Sequence, residues 1–141
     1  MSYLKHKYIP FYMGMARDVS ALSYCKNAKV GAVILTTNNV LAIGYNGTPA
    51  GHDNACEDCN GKTKGSVQHA ELNALSKLVQ SNESSKGATL FCTLSPCINC
   101  AKAIYAAGVK TVYYEAEYKD TEGLDFLRDV GVICTQILQT T

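Results

Sequence analysis

Nothing in these 141 residues resembles a membrane span, because no apolar run approaches the roughly 18 residues that crossing a bilayer requires. The opening stretch Met1-Ser-Tyr-Leu-Lys-His-Lys7 has neither the apolar segment nor the small-residue cleavage site of an export signal. A cytoplasmic protein is expected. A charge excess is also missing: 13 Lys and Arg stand against 12 Asp and Glu, a net charge of +1. Proteins that hold nucleic acid without regard to sequence usually carry a basic stripe or surplus, so DNA and RNA are disfavoured as the main partner. Internal repeats, low-complexity tracts and long linkers are absent too. The length suits one domain over residues 1–141 with a single buried core.

Cysteine, by contrast, is plentiful, with seven in a short chain. The count is odd and no export signal accompanies it, so a secreted disulfide framework fits poorly. Four of the seven form two Cys-x-x-Cys pairs, Cys56/Cys59 and Cys97/Cys100, a pattern of metal or redox chemistry. Cys92 and Cys134 sit in apolar, strand-like runs and read as core residues.

The hydrophobic pattern predicts an α/β chain. Phe11, Met15, Val19 and Leu22 recur at helical spacing over residues 8–24. Residues 30–36 and 40–45 form a hairpin turned at Asn38-Asn39. Residues 46–66 are an irregular loop rich in Gly, Asn, Asp and Lys. A helix then places Leu72, Leu75, Leu78 and Val79 on one face. Strands follow at 88–93, 109–114 and 132–135, with helices from Pro96 to about Ala107 and over 123–129. A hairpin followed by alternating helices and strands implies a mixed sheet with helices on its faces.

Two places supply ligands that zinc prefers, His69 and the pair Cys97/Cys100. Cysteines three apart project from one helix face, and in a first turn the amides and helix dipole favour thiolates. Three protein ligands leave a fourth tetrahedral position for water, as in catalytic zinc, and the metal lowers that water's pKa to about 7. Glu71, two residues beyond His69, is placed to shuttle protons. His-Ala-Glu followed by Pro-Cys-x-x-Cys is the signature of zinc deaminases acting on cytosine or adenine. Simpler readings compete. A histidine at a helix start is more often a capping or surface residue, Cys-x-x-Cys also serves as a redox pair, and the two pairs together might close a four-cysteine structural site. None of these accounts for Glu71.

With these motifs in place, nearly the whole chain resembles the deoxycytidylate (dCMP) deaminases of the cytidine deaminase-like superfamily. The resemblance rests on His69-Ala-Glu71-Leu-Asn-Ala and Thr93-Leu-Ser-Pro96-Cys97-x-x-Cys100-Ala-Lys-Ala-Ile, with Lys29-Val-Gly-Ala-Val-Ile34 and Gly44-Tyr-Asn-Gly-Thr-Pro-Ala-Gly51. Transfer-RNA adenosine deaminases typically carry Glu where Ser95 stands, and free-nucleoside cytidine deaminases usually open with Cys-Ala-Glu. The resemblance implies a three-layer cytidine deaminase-like fold, with a central mixed five-stranded sheet flanked by helices. It implies conversion of dCMP to dUMP for thymidylate synthesis, with zinc held by His69, Cys97 and Cys100 and Glu71 as proton shuttle. Asn46 is expected to contact the deoxyribose, the backbone carbonyls of Ala70 and Ser95 to face the amino group, and Tyr118 to lie near the substrate. A 5′-phosphate calls for cationic or backbone donors, which makes Lys29 and Lys119 candidates.

Family members often carry a second, structural zinc. Cys25, Cys56 and Cys59 fit that role, with His52 as the nearest fourth ligand, and the site would fasten the long loop. The resemblance also implies a homohexamer, with dCTP as activator and dTTP as inhibitor, Mg2+ accompanying the triphosphate. The Gly44–Gly51 loop would hold phosphates through backbone amides, and Lys77 and Gln80 stand where some relatives carry other side chains linked to regulation. Two rival functions remain at this point: a tRNA or single-stranded-DNA base deaminase, which needs a basic, aromatic-lined groove, and a non-catalytic structural zinc module.

Overall fold

Residues 31–35, Gly-Ala-Val-Ile-Leu, are all buried, and they place the first strand inside the molecule with both faces covered. The structure is a computed structural model and describes residues 4–139; Met1–Tyr3 of the N-terminal stretch lie outside the described residues. In chain order the elements are α1 (Tyr8–Ser20), β1 (Gly31–Leu35), β2 (Leu41–Tyr45), α2 (Ala70–Val79), β3 (Thr89–Leu94), α3 (Ile98–Ala106), β4 (Thr111–Ala116), α4 (Glu122–Asp129) and β5 (Ile133–Gln136). The strands lie in the order β2-β1-β3-β4-β5. β1 is antiparallel to β2 and to β3, whereas β3, β4 and β5 run parallel. This is the mixed five-stranded sheet the resemblance implied.

Side chains alternate across the sheet with period two and build two cores. On one face Val33, Leu35 and Phe91 pack with Ile9, Met13, Ala16 and Val19 of α1. On the other, Ala32, Ile34, Leu90, Cys92, Val112 and Tyr114 meet the buried residues of α2, α3 and α4. Three layers result. No helix among the described residues is long and apolar enough to cross a membrane.

Two helices are rotated from the faces their spacing predicted. In α1 the buried residues are Ile9, Met13, Ala16 and Val19, while Phe11 and Leu22 are exposed. The reason is close approach: a β-carbon on Gly31 would lie 2.0 Å from the Ala16 carbonyl oxygen, so the small residues of α1 must face the sheet. In α2 Ala70, Ala74, Leu75 and Leu78 are inward and Val79 is 83% exposed. Leu75 and Leu78 thus face inward as the spacing predicted, whereas Leu72 and Val79 stand at the exposed edge and Ala70 and Ala74 take their place against the sheet. Cys92 is in the core as expected, and Cys134 packs half-buried against it.

Candidate active site

The parallel strands end where α2 and α3 begin, the crevice in which open α/β sheets collect their ligands. His69 is the N-cap of α2 and Cys97 the N-cap of α3, both with extended backbone that turns the side chain away from its helix. Cys100 follows in the first turn of α3 and is buried. The His69 Nδ1 atom lies 3.2 Å from the Cys100 sulfur and 3.5 Å from that of Cys97. All three donor atoms fall within 4.8 Å of one another. A tetrahedral zinc with bonds of about 2.3 Å to sulfur and about 2.1 Å to nitrogen separates such donors by roughly 3.6 Å. The residues present therefore fit the metal in type, number and spacing. Among the described residues this is the one cluster of three or more metal-donor side chains.

Charge makes the same case. Burial pushes the Cys100 thiol far above its ordinary range, and the neighbouring Glu71 and Cys97 add to the shift. Burial likewise raises the Glu71 carboxyl, opposed by its hydrogen bond with Cys100 and by His69. The helix-terminal amides alone thus do not ionise Cys100, contrary to what its first-turn position suggested. A divalent cation at the three donors would supply the missing positive charge and favour the ionised form of both groups. Glu71 itself is 4% exposed and lines the cavity beside the cluster without belonging to it.

That cavity has a volume of about 270 Å³ and is bounded by Val30, Asn46, His69, Ala70, Glu71, Ser95, Cys97 and Tyr118, among others. Asn46 uses both ends of its amide. Its Oδ1 accepts from the Val30 N–H at 2.8 Å and its Nδ2 donates to the Ala28 carbonyl at 2.8 Å, so it staples the end of β2 to the entry of β1. One donor and one acceptor capacity remain for a ligand. Ser95 is buried; its N–H donates to the Ala116 carbonyl, and its hydroxyl accepts from the Tyr118 N–H at 2.7 Å.

Lys29 and Lys119 are the two candidates for a 5′-phosphate. The Lys29 ammonium donates to the Ser23 carbonyl at 2.8 Å. Neither Lys29 nor Lys119 lines the cavity, and both are exposed. The second zinc set does not assemble either. Cys25 and Cys56 are joined in a disulfide, with their Cα atoms 5.1 Å apart, so neither sulfur is a thiolate available to a metal. Cys59 is exposed and free, and His52 lies on a separate groove with Cys56. The loop is fastened to the α1–β1 connection as expected, but by a covalent bond.

Sequence reasoning missed the loop residues that close the cavity. Glu57 accepts from the backbone N–H groups of Lys26 and Asn27 at 3.0 and 3.1 Å, while the Asn27 amide donates to the Gly61 carbonyl and the Thr63 hydroxyl, each at 3.0 Å. Asn27, Glu57 and Thr63 all line the cavity. Gly123 was also overlooked. A β-carbon there would lie 2.2 Å from the Pro96 carbonyl oxygen and 2.8 Å from the Cys97 carbonyl carbon, so its lack of a side chain lets α4 lie against the metal-binding turn. The Gly47–Gly51 segment, with His52, Asn73 and Lys77, borders a separate groove of about 250 Å³. There the Lys77 ammonium donates to the Ile43 carbonyl, and partial burial lowers its pKa.

Comparison with known proteins places this geometry. Residues 7–116 match the family model described as the cytidine and deoxycytidylate deaminase zinc-binding region. A dCMP deaminase from the cyanophage S-TIM5, solved in complex with dCMP and dUMP, superposes with a TM-score of 0.91 at 46% identity, covering 96% of this chain and all of that one. The deoxycytidylate deaminase of Mycobacterium phage D29 is 35% identical over 122 residues, 76% of this chain and 93% of its own length. ComE operon protein 2 of Bacillus subtilis (strain 168) is 34% identical over 113 residues; this chain spans 77% of itself but 59% of that longer protein.

Proposed function

The chain belongs to the family defined by the cytidine and deoxycytidylate deaminase zinc-binding region, and on that premise we propose that it converts dCMP and water to dUMP and ammonia. The observation that carries the proposal is the meeting of a three-donor metal cluster with a buried carboxyl, Glu71, at one cavity of about 270 Å³ that His69, Glu71 and Cys97 line. His69, Cys97 and Cys100 would hold the metal. Zinc bound there supplies Lewis acidity that makes water a competent nucleophile near neutral pH.

The chain's own groups do the rest. Glu71, buried beside the donors, takes the two protons of water in turn, delivering one to ring nitrogen N3 and the other to the departing amine, which leaves as ammonia. The Ala70 and Ser95 carbonyls accept hydrogen bonds from the exocyclic amine and so distinguish cytosine from uracil. Asn46 orients the deoxyribose with the amide capacity left over after its backbone bonds. Tyr118 packs against the bound nucleotide from the opposite segment of the wall.

The same reading extends to the whole assembly: a single domain over residues 1–141, working in the cytoplasm as a homohexamer. dCTP would activate and dTTP inhibit, with Mg2+ on the triphosphate and the Gly44–Gly51 loop as the effector contact. The deciding experiment is an ultraviolet deamination assay of the zinc-loaded protein across dCMP, CMP, deoxycytidine, dCTP and a short oligonucleotide. Fastest turnover of dCMP is expected. Preference for the oligonucleotide, or no absorbance change with any of the five, overturns the proposal. Light scattering with and without dCTP tests the hexamer and its effector.

A further inference from the structure

Tyr118 stands on the cavity wall but outside the sheet. β3 and β4 pair in register as far as Leu94 and Ala116, and the Ser95 N–H extends the ladder by one bond to the Ala116 carbonyl at 2.9 Å. Beyond it residues 117–121 follow an irregular path, with Glu117, Lys119 and Asp120 exposed and Tyr118 half-buried. No strand neighbour orders this tyrosine. Its amide instead donates to the Ser95 hydroxyl at 2.7 Å, and Ser95 is 3% exposed. Water therefore does not compete for this bond, and losing it strands a partly buried N–H.

We propose that the Ser95 hydroxyl is a positioning residue for Tyr118 and thereby sets one wall of the nucleotide site, an inference that rests on the deaminase reading above. Ser95 then has two separate roles: its carbonyl faces the substrate amine, and its side chain acts through another residue. The far end of the same segment is fastened by Gly123 against Pro96 and Cys97. Tyr118 is thus tied at both ends to the Leu94–Cys97 stretch, so the wall and the metal ligand keep a common frame.

The test uses the zinc-loaded full chain with Ser95→Ala, Ser95→Thr and Tyr118→Ala, and reads KM, kcat, bound zinc and amide hydrogen exchange at residue 118. Loss of one net hydrogen bond predicts that Ser95→Ala raises KM for dCMP about tenfold and speeds exchange at Tyr118 by a similar factor. kcat should fall less than KM rises, zinc content should hold, and Ser95→Thr should restore both readouts. In the Tyr118→Ala background the KM effect of Ser95→Ala should disappear. Unchanged exchange at residue 118, or an undiminished KM effect without the tyrosine ring, overturns the inference. Should Ser95→Ala not fold, Ser95→Cys weakens the acceptor at similar volume and is judged by the same readouts. A wild-type protein that ignores dCMP refutes the deaminase reading, while the exchange measurement still decides whether Ser95 holds the segment.

Discussion

Replacing Gly123 with alanine separates packing from metal binding. The added β-carbon would sit 2.2 Å from the Pro96 carbonyl oxygen, whereas ordinary contact begins near 3.4 Å, so the two backbones must part by up to about 1.2 Å. The obstructing atoms are backbone and cannot swing aside. Alanine inside α4 gains about 1 kcal/mol of helix propensity, and overpacking costs about 1–3 kcal/mol, giving a net loss between zero and about 2 kcal/mol. Gly31→Ala is the matched control, because its β-carbon would meet the Ala16 carbonyl oxygen at 2.0 Å and the Ser20 nitrogen at 2.6 Å on α1. Both variants should lower the melting temperature of the metal-free protein. Only Gly123→Ala displaces Cys97, and disturbing a ligand's support typically weakens metal binding about 10–100-fold. Competition with a chromophoric chelator measures this directly. Equal zinc affinity for the two glycine variants would refute the argument that α4 positions the ligand turn.

Glu71→Gln keeps the shape of the side chain but cannot shuttle protons, so bound zinc should persist while turnover falls by at least about 10²-fold, general acid–base catalysis being worth that much; retained turnover rejects the role. Because burial favours the protonated Cys100 thiol without metal, zinc must expel that proton, and apparent affinity should fall at least about tenfold per pH unit on acidification. A pH-independent affinity would contradict this. Thiol titration of the chelated, denatured and unreduced protein should find five free thiols of seven, with Cys25 and Cys56 bonded to each other. Seven thiols together with two zinc ions per native chain would instead restore the structural metal in place of the disulfide.

The catalytic cluster was legible because its ligands lie in short local motifs. His69 and Glu71 share one helix start, Cys97 and Cys100 another, so each pair is set by a cap residue and the first turn that follows it. Strand limits were readable to within about a residue or two, since β-branched runs between turn residues carry their own boundaries. The inward face of α1 was not, for Phe11 and Leu22 follow the helical period as well as Ile9 and Met13 do. The close backbone approach at Gly31, a tertiary fact, chooses between the two faces. The resemblance had already brought Cys25 together with Cys56; what it did not show is that the two sulfurs bond to each other, because that depends on where the loop folds back. The position of Lys29 beside the first strand was legible, but its bond to the Ser23 carbonyl was not, since that acceptor lies on the turn after α1.

The strand that links the two ligand-bearing helices is also the middle of the sheet. β3 lies between β1 and β4, and Leu90, Phe91 and Cys92 are wholly buried. His69 precedes this strand by one helix, and Cys97 follows it by three residues. A central strand belongs to the part of a protein that opens last under native conditions. The metal centre therefore shares the lifetime of the most protected element. Fraying at β5 or the chain ends leaves the donors in place, whereas β2 holds the start of α2 through the Asn73 amide on the Tyr45 carbonyl and the pairing of Gly47 with Gln68.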